Sequence, residues 1–263
     1  MDAPLLSRLQ ERLIFDSHAH YNDDRFADCR EELLEELPRQ GVLAAVNCGC
    51  DIPSSALALQ LAERYDYLYA AVGFHPEFWN AGTREQLAEI EQMAQHPKCV
   101  AIGEIGLDYY WDKDHHAEQQ ELFIQQIELA NKLEKPIIVH DREAHGDTLE
   151  ILKQYPTRGV AHCFSGSPEM AEELLKLGFY LGIGGVVTFK NARRLPEVVS
   201  LIPDNRLLLE TDCPYLAPEP FRGKLCHSGL ILLTAERVAE LRGQTTEEIL
   251  KISAKNAKEL FGL

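Results

Sequence analysis

Histidine and carboxylate side chains follow several short apolar segments of this chain. FDSHAH, near the amino terminus, has two histidines separated by one alanine, and later segments end in a histidine or an acidic residue. The residues concerned are His18, His20, Glu104, His140, His162 and Asp212. Imidazole and carboxylate together suit Zn, Mn, Fe or Ni, and a carboxylate shared by two ions about 3.5–4 Å apart forms a two-metal site. The pattern therefore predicts a metal centre.

Each of these residues also has a plain structural interpretation. A single His-x-His is a weak signal, and His140 or His162 alone is more often a hydrogen-bonded interior histidine. Glu104 or Asp212 alone could cap a helix or pair with an arginine. However, five of the ten histidines lie at the ends of apolar segments, and the fifth of them is His75 in GFHP. Independent structural roles would have to coincide at every one of these places, so we favour a shared metal centre.

Short apolar segments alternate with helical patterns along the chain. The segments are nearly continuous in apolar residues and often β-branched, as expected of parallel strands that are covered on both sides. They comprise Leu13–Phe15, Val42–Val46, Leu68–Val72, Cys99–Ile102, Pro136–Val139, Gly159–Ala161, Phe179–Ile183 and Arg206–Leu209. Eight such strands with helices between them predict a single (β/α)8 TIM barrel in the α/β class, with its active site at the C-terminal ends of the strands.

The alternative to a barrel is an open doubly wound sheet. That fold requires a glycine-rich phosphate turn after the first strand, where this chain has DSHAH. Ser167-Pro168 predicts the start of one helix, and Thr245 with Glu248 predicts a capping box for the last. No linker-like stretch divides the chain, so we expect one domain over 13–263, preceded by an N-terminal extension over 1–12.

The barrel would bring the polar residues together. Side chains at the C-terminal ends of barrel strands meet at one mouth. Asp16, His18 and His20 are spaced by two residues and are predicted to share one face of the first strand, because strand side chains alternate. The last strand adds Glu210 as well as Asp212.

Composition and charge limit the classes of function. The 263 residues are 45% hydrophobic and 26% charged, as in ordinary globular proteins. A net charge of −16 argues against nonspecific wrapping of a long nucleic-acid duplex. Seven scattered cysteines favour reduced thiols in the cytoplasm. We expect no signal peptide, no membrane span and no obligate protein partner, and hence a monomer.

Several longer motifs occur in a characteristic order between Ile14 and Phe261. They are FDSHAHYND, GFHP, AIGEIGLDYY, PIIVHDREAHGDTL, HCFSGS, LGIGG, ETDCPYLAP and FRGK. In these motifs the chain resembles the TatD-like metal-dependent hydrolases, or TatD-type deoxyribonucleases, of the amidohydrolase superfamily. The resemblance implies two divalent cations, which would be Mg, Mn, Zn or Ni. The ligands of one cation would be His18, His20, Glu104 and Asp212. Glu104 would bridge to the other cation, completed by His140 and His162.

The same resemblance implies hydrolysis of phosphodiesters, with nucleotides removed from the end of single-stranded DNA. A strand end needs only a small cationic pocket, which an acidic protein can provide. After Arg222-Gly223-Lys224 the family usually continues with one residue and then Asn-Glu-Pro, whereas this chain has Cys226-His227-Ser228. This departure bears on substrate preference rather than on metal binding.

Further roles are assigned on chemical grounds. Asp212 is the candidate general base, and Glu104 is the shared ligand at the reactive position. His75 either contacts the substrate and assists the leaving group, or fixes the turn before the following proline. Loops after strands seven and eight often hold phosphate in barrels. The basic residues that could do so here, unless they are plain surface charges, are Lys190, Arg222 and Lys224.

Residues around the predicted metal site add weaker signals. Asp108 and Arg142 either orient the ligands or form a structural pair. Tyr109, Tyr110 and Trp111 either stack on bases or pack within a loop.

Two other classes of function stay open. One is an amidohydrolase-type enzyme that acts on a small amide, ester, lactone or amino-purine. The other is a non-catalytic scaffold with a structural metal. Structural zinc sites are usually closed and rich in thiolates, whereas the predicted ligand set has no cysteine, which favours an open, reactive site.

Overall fold

The computed structural model describes residues 11–263, so residues 1–10 of the predicted extension lie outside the described part. Eight strands form one parallel sheet in sequential order from β1 to β8. They are β1 Ile14–Ala19, β2 Val42–Cys48, β3 Leu68–Val72, β4 Cys99–Asp108, β5 Ile137–Arg142, β6 Gly159–Ala161, β7 Tyr180–Ile183 and β8 Leu207–Leu209. Sequential parallel order with a helix after each strand confirms the predicted TIM barrel. The boundary between an extension over 1–12 and a domain over 13–263 stays a prediction.

Helices alternate with the strands. Within residues 11–263 they are α1 Arg30–Glu36, α2 Ile52–Arg64, α3 Arg84–Ala94, α4 His116–Lys132, α5 His145–Gln154, α6 Pro168–Lys176, α7 Leu195–Leu201, α8 Ile231–Arg242 and α9 Thr246–Phe261. Ser167 caps α6, and the predicted capping box of Thr245 and Glu248 opens α9. None of these described helices is long and apolar enough to cross a membrane.

The barrel closes between its first and last strands through the segments just beyond them. Ala19 and Cys213 form an isolated parallel bridge. The His20 N–H donates to the Cys213 carbonyl at 2.8 Å, and the Asp212 N–H donates to the His18 carbonyl at 3.0 Å. The first and last predicted ligand segments are therefore tied directly to each other.

A small apolar cluster lies below the polar mouth of the barrel. Ile138 belongs to this cluster and lies two residues before His140, so one face of β5 changes from apolar to polar towards its C-terminal end. Phe15 of β1 stacks on Phe261 of α9, with ring centroids 6.1 Å apart. The last helix thus packs against the cluster near the start of β1.

Strand β1 departs from regular alternation. Phe15 belongs to the interior cluster, yet His18, three residues later, also points to the predicted metal site. The register between β1 and β2 shifts between Asp16 and Ala19, which allows this odd spacing. The prediction that Asp16 shares a face with His18 and His20 is therefore wrong. Its carboxylate is buried and accepts hydrogen bonds from the segments after β8 instead.

Candidate metal centre

The six side chains predicted to bind metal converge at the C-terminal end of the barrel. They are His18 of β1, His20 just after it, Glu104 of β4, His140 of β5, His162 just after β6, and Asp212 beyond β8. We call these six residues the ligand cluster. Glu104 lies inside β4, which runs to Asp108 and does not end with the apolar run at Ile102. The side chains of these polar residues find partners within the site, Glu104 and Asp108 both with His140.

Glu104 lies at the centre of the ligand cluster. Its Oε2 is 3.3 Å from Nε2 of both His18 and His20. Its Oε1 is 2.8 Å from Nδ1 of His140 and 2.7 Å from Nε2 of His162. The two oxygens of one carboxylate thus face two separate groups of imidazoles. This is the arrangement that a carboxylate bridging two cations requires.

The first group has spacings that fit a single cation. The Nε2 atoms of His18 and His20 are 2.9 Å apart, and Asp212 Oδ1 lies 3.7 and 3.4 Å from them. Two nitrogens bound at about 2.0–2.1 Å to one ion, at a right angle, would be about 2.9 Å apart. Nitrogen and carboxylate donors at these separations therefore suit a divalent ion.

Contacts on the outer side of two imidazoles determine which ring nitrogen is free. His20 Nδ1 lies 3.0 Å from the Cys48 carbonyl, which can only accept, so Nδ1 carries the proton of the neutral ring. His140 Nε2 lies 2.9 Å from the Asp108 carboxylate and donates to it. When either ring is neutral, its unprotonated nitrogen faces Glu104, as a metal ligand must.

A buried carboxylate lies behind His162. Glu210 Oε1 accepts the N–H of Cys163 at 2.6 Å and lies 3.6 Å from Nδ1 of His162. A Cβ at position 182 would be 2.1 Å from Glu210 Oε2. Gly182 therefore leaves the space that this carboxylate occupies behind the ligand cluster.

Opposite charges offset the cost of burial in the ligand cluster. Burial raises the pKa of Glu104, but the imidazoles of His162 and His18 outweigh it and hold that pKa well below its usual range. Burial lowers the pKa of His140, but hydrogen bonds to Asp108 and Glu104 raise it to about 9. His140 thus holds a proton that a cation would have to displace.

Asp212 has an unusual backbone conformation. Its φ of 57° lies in the left-handed region, which residues other than glycine rarely adopt. The hydrogen bond from its N–H to the His18 carbonyl helps to hold this conformation. Such conformations are concentrated at functional sites, where the surrounding structure offsets their cost.

His75 lies beside the second group of imidazoles. Its Nε2 is 3.9 Å from Glu104 Oε1, and its Nδ1 accepts the N–H of Glu77 at 3.2 Å. The Glu77 carboxylate is slightly farther from Nδ1, at 3.4 Å. Burial and the nearby His140 lower the pKa of His75 to about 3, so the ring is neutral. With Nδ1 accepting the backbone proton, Nε2–H is a donor towards the cluster.

A cavity of about 650 Å³ opens above the ligand cluster. This volume is typical of sites for small ligands. The members of the cluster that line it are His20, Glu104, His140, His162 and Asp212. Other side chains in its wall include His75, Phe78, Trp111, Arg142, Tyr215 and Leu216. The cluster is therefore open to a substrate.

Comparison with known proteins identifies the family. The family model described as TatD related DNase matches residues 15–262. The chain belongs to the TatD family. The uncharacterized metal-dependent hydrolase YabD of Bacillus subtilis is 46% identical over 252 residues, which cover 95% of this chain and 99% of that protein. The uncharacterized metal-dependent hydrolase YcfH of Escherichia coli K12 is 35% identical over 254 residues, which cover 94% of this chain and 95% of that protein.

A solved structure supports the same assignment. The crystal structure of YjjV, a TatD homolog from Escherichia coli K12, has 32% sequence identity and a TM-score of 0.90. It matches 96% of this chain and 99% of the YjjV chain. This protein is thus a metal-dependent hydrolase of the TatD family, as its motifs predict.

The departure from the usual TatD motif has a structural role. The Ser228 hydroxyl donates to Asp16 Oδ2 at 2.7 Å and contacts the Tyr21 hydroxyl at 2.6 Å. Asp16 Oδ1 in turn accepts the N–H of His18 at 3.2 Å. In the described structure residues 226–228 do not line the cavity, and Ser228 contacts β1 through Asp16.

The three predicted phosphate-binding cations lie outside the cavity wall. Lys190, Arg222 and Lys224 are exposed, and the Arg222 guanidinium lies 4.3 Å from the ring centroid of Phe189. Among the described residues that line the cavity, Arg142 is the only lysine or arginine. A role of the other three in substrate binding stays a prediction.

Asp108 links the ligand cluster to the loop after β4. One oxygen accepts the His140 proton, and the other accepts the N–H groups of Tyr110 and Trp111 at 3.0 and 2.9 Å. The Arg142 guanidinium lies 4.1 Å from the ring centroid of Tyr110. Asp108 thus contacts a predicted ligand directly, whereas Arg142 packs on the loop.

Sequence reasoning missed the contacts behind the imidazoles. The predicted ligand set has no cysteine, yet Cys48 Sγ lies 3.5 Å from Nδ1 of His18 and the Cys48 carbonyl accepts from His20. No local signal could reveal this pairing, because the partners lie on different strands and meet only in the closed barrel.

Proposed function

We propose that the protein hydrolyses phosphodiester bonds at the end of single-stranded DNA, using two divalent cations. The observation that carries this proposal is the division of the Glu104 oxygens between two groups of imidazoles. Two-metal sites suit this reaction because paired cations stabilise both the attacking and the leaving oxygen of an in-line displacement.

The ligand cluster supplies donors for both cations. Donors for the first are His18, His20, Asp212 and Glu104 Oε2. Donors for the second are Glu104 Oε1, His140 and His162. Bound divalent cations lower the pKa of water towards about 7 and polarise a phosphoryl oxygen. Mg, Mn, Zn and Ni are all compatible with this donor set.

Asp212 is the residue best placed to move a proton. Its side chain is 19% exposed, against 4% for Glu104, and it lines the cavity. Its carboxylate would accept a proton from the attacking water and pass it to the leaving oxygen as the P–O bond breaks. The Nε2–H of His75 would hydrogen-bond to a phosphoryl oxygen or to that leaving oxygen.

Turnover of bis(p-nitrophenyl) phosphate, with each cation supplied in turn, tests the reaction type. Glu104→Gln and Asp212→Asn should each lower kcat by at least about 100-fold, because each removes a negatively charged ligand. Glu240→Gln, at an exposed surface pair with Arg237, is the control and should leave kcat unchanged. Full activity in either cluster variant would contradict the proposal.

A second candidate is amidohydrolase-type chemistry on a small amide, ester, lactone or amino-purine. It is favoured by the acidic character of the cavity wall, where Asp23, Asp51 and Glu77 stand against the single cation Arg142. Replacing Arg142, the cation in the cavity wall, by glutamine should raise KM for DNA but leave KM for a neutral substrate unchanged. The non-catalytic alternative is disfavoured, because structural metal sites are closed and this one opens into the cavity.

A further inference from the structure

We infer that the site is built for short single-stranded oligonucleotides rather than long strands. It would hold one terminal nucleotide, with its base on Trp111 and its phosphate charge at Arg142. This inference rests on the proposed phosphodiester hydrolysis and names its substrate class.

Aromatic side chains surround the mouth of the cavity. Phe78, Trp111 and Tyr215 line it, and we call them the aromatic rim. Trp111 is 63% exposed, although its backbone is fixed by the hydrogen bond to Asp108. A large exposed aromatic surface at the opening of a reactive site favours a flat apolar group such as a nucleobase, which stacks on aromatic rings whatever its identity.

Arg142 provides a positive charge beside this surface. Its guanidinium lies 4.1 Å from the ring centroid of Tyr110 and 5.3 Å from that of Trp111. Stacking on a ring leaves the in-plane N–H groups free to bind phosphate oxygens. Arg142 also lies on β5, two residues after His140. Its positive charge is therefore close to the second group of imidazoles.

The rest of the cavity wall is unfavourable for a long polyanion. Asp23, Asp51 and Glu77 line it in addition to the acidic residues of the ligand cluster and Asp108. Proteins that bind long single strands track the backbone with a positively charged groove. Here one arginine is present, and the net charge of the chain is −16. Phosphates beyond the terminal nucleotide would therefore make few favourable contacts with the cavity wall and add little binding free energy.

The size of the cavity agrees with a short occupant. A volume of about 650 Å³ is that of a pocket for one small ligand, which corresponds to roughly one or two nucleotides. Such fragments arise when another hydrolase has already cut a longer nucleic acid. A strand-cutting nuclease would therefore supply this substrate, and this protein would release mononucleotides.

Length and salt dependence test the inference. The metal-loaded protein would be assayed on a thymidine dinucleotide and on a 20-residue oligothymidylate. We expect the longer strand to have no lower KM per end, and its KM to stay flat or fall as salt rises from about 50 to 200 mM. A protein with several phosphate contacts would instead lose about 10³–10⁵ in affinity over that range. A tenfold lower KM for the longer strand, rising steeply with salt, would overturn the inference.

Two substrates that share a leaving group test the base contact. Trp111→Ala should raise KM about tenfold for thymidine 5′-(p-nitrophenyl phosphate) but leave methyl p-nitrophenyl phosphate unchanged. Arg142→Gln should raise KM for both. Matched controls are Trp79→Ala and Arg206→Gln, whose side chains stack on His115 and Tyr180 and do not line the cavity. Equal effects of Trp111→Ala on both substrates would refute the base contact.

Binding without turnover separates this inference from the proposed reaction. The chain has two tryptophans, so in Trp79→Phe the only tryptophan fluorescence comes from Trp111. Thymidine 5′-monophosphate should quench this fluorescence, with or without metal, at concentrations at least about tenfold lower than ribose 5-phosphate. Equal responses to the two phosphates would refute the base contact even if phosphodiesters are cleaved. Tight nucleotide binding without turnover of any phosphodiester would instead refute the reaction.

Discussion

In the proposed two-cation arrangement, Asp108→Asn should weaken the second cation site, at His140 and His162, and spare the first. The Asp108 carboxylate accepts the His140 Nε2–H with one oxygen and the N–H groups of Tyr110 and Trp111 with the other. An asparagine side chain has one acceptor oxygen and one donor amide, so it cannot satisfy both sets. If the amide faces His140, the ring proton moves to Nδ1, and the nitrogen that faces Glu104 can no longer bind a cation.

The size of this effect depends on pH. Loss of such an outer contact typically costs about 10–100-fold in metal affinity, or about 1.4–2.7 kcal/mol. Asp108 also helps to raise the pKa of His140 to about 9, so at pH 7 a cation must displace a proton from the wild-type ring at a cost of about 3 kcal/mol. In the variant the pKa of His140 is lower, because the Asp108 carboxylate is gone, and the cation has less work to do in displacing the proton. Its deficit should therefore be small near pH 7 and largest near pH 9.

Calorimetric titration of the metal-free protein at both pH values measures the two affinities. The wild-type affinity of the second cation site should rise about tenfold per pH unit up to about pH 9, and the variant should show a flatter profile. Asp141→Asn is the matched control, because Asp141 accepts a hydrogen bond from His145, which is not a predicted ligand. Equal weakening of both cation sites, or a variant profile as steep as the wild type, would refute the reasoning.

Three further predictions concern the surroundings of the ligand cluster. Metal binding at pH 7 should release at least one proton, because His140 with a pKa of about 9 is protonated there; calorimetry in buffers of different ionisation enthalpy measures the number. Gly182→Ala should lower both the thermal unfolding midpoint and kcat, because the methyl group would lie 2.1 Å from a buried carboxylate oxygen. Gly146→Ala in α5 meets no atom within 4 Å, so it should lower neither quantity. Ser228→Ala should reduce the free energy of unfolding in urea by about 1–3 kcal/mol, because Asp16 loses a donor; an unchanged midpoint and slope would contradict this role.

The fold and the ligand cluster were predictable because each strand carries its own signal. A β-branched apolar run that ends in a histidine or carboxylate can be recognised without knowledge of the other strands. The barrel then brings those ends together whatever their separation in sequence. Glu104 was found in this way although β4 continues past it to Asp108. The face of Asp16 was mispredicted because the register shift in β1 depends on its pairing with β2.

Contacts that depend on barrel closure were not predictable. The Cys48 carbonyl behind His20 and the carboxylate behind His162 are set by neighbouring strands. The identity of the arginine in the cavity wall was not predictable either. Lys190 follows β7 just as Arg142 ends β5, but only Arg142 lines the cavity, because loop conformation decides which side chain turns inward.

Base stacking and cation binding should be coupled, because both depend on Asp108. Its carboxylate fixes the backbone of Trp111 and the tautomer of His140 at the same time. We expect this coupling to be favourable. Linkage then requires that thymidine strengthens cation binding at His140 by the same factor with which the cation strengthens thymidine binding. Thymidine isolates this effect, because it has no phosphate to bind the cations directly. Tryptophan fluorescence titrations should show tighter thymidine binding in the metal-loaded protein, and Asp108→Asn should abolish the difference. Identical thymidine affinities with and without cation in the wild type would show that the loop and the cluster act independently.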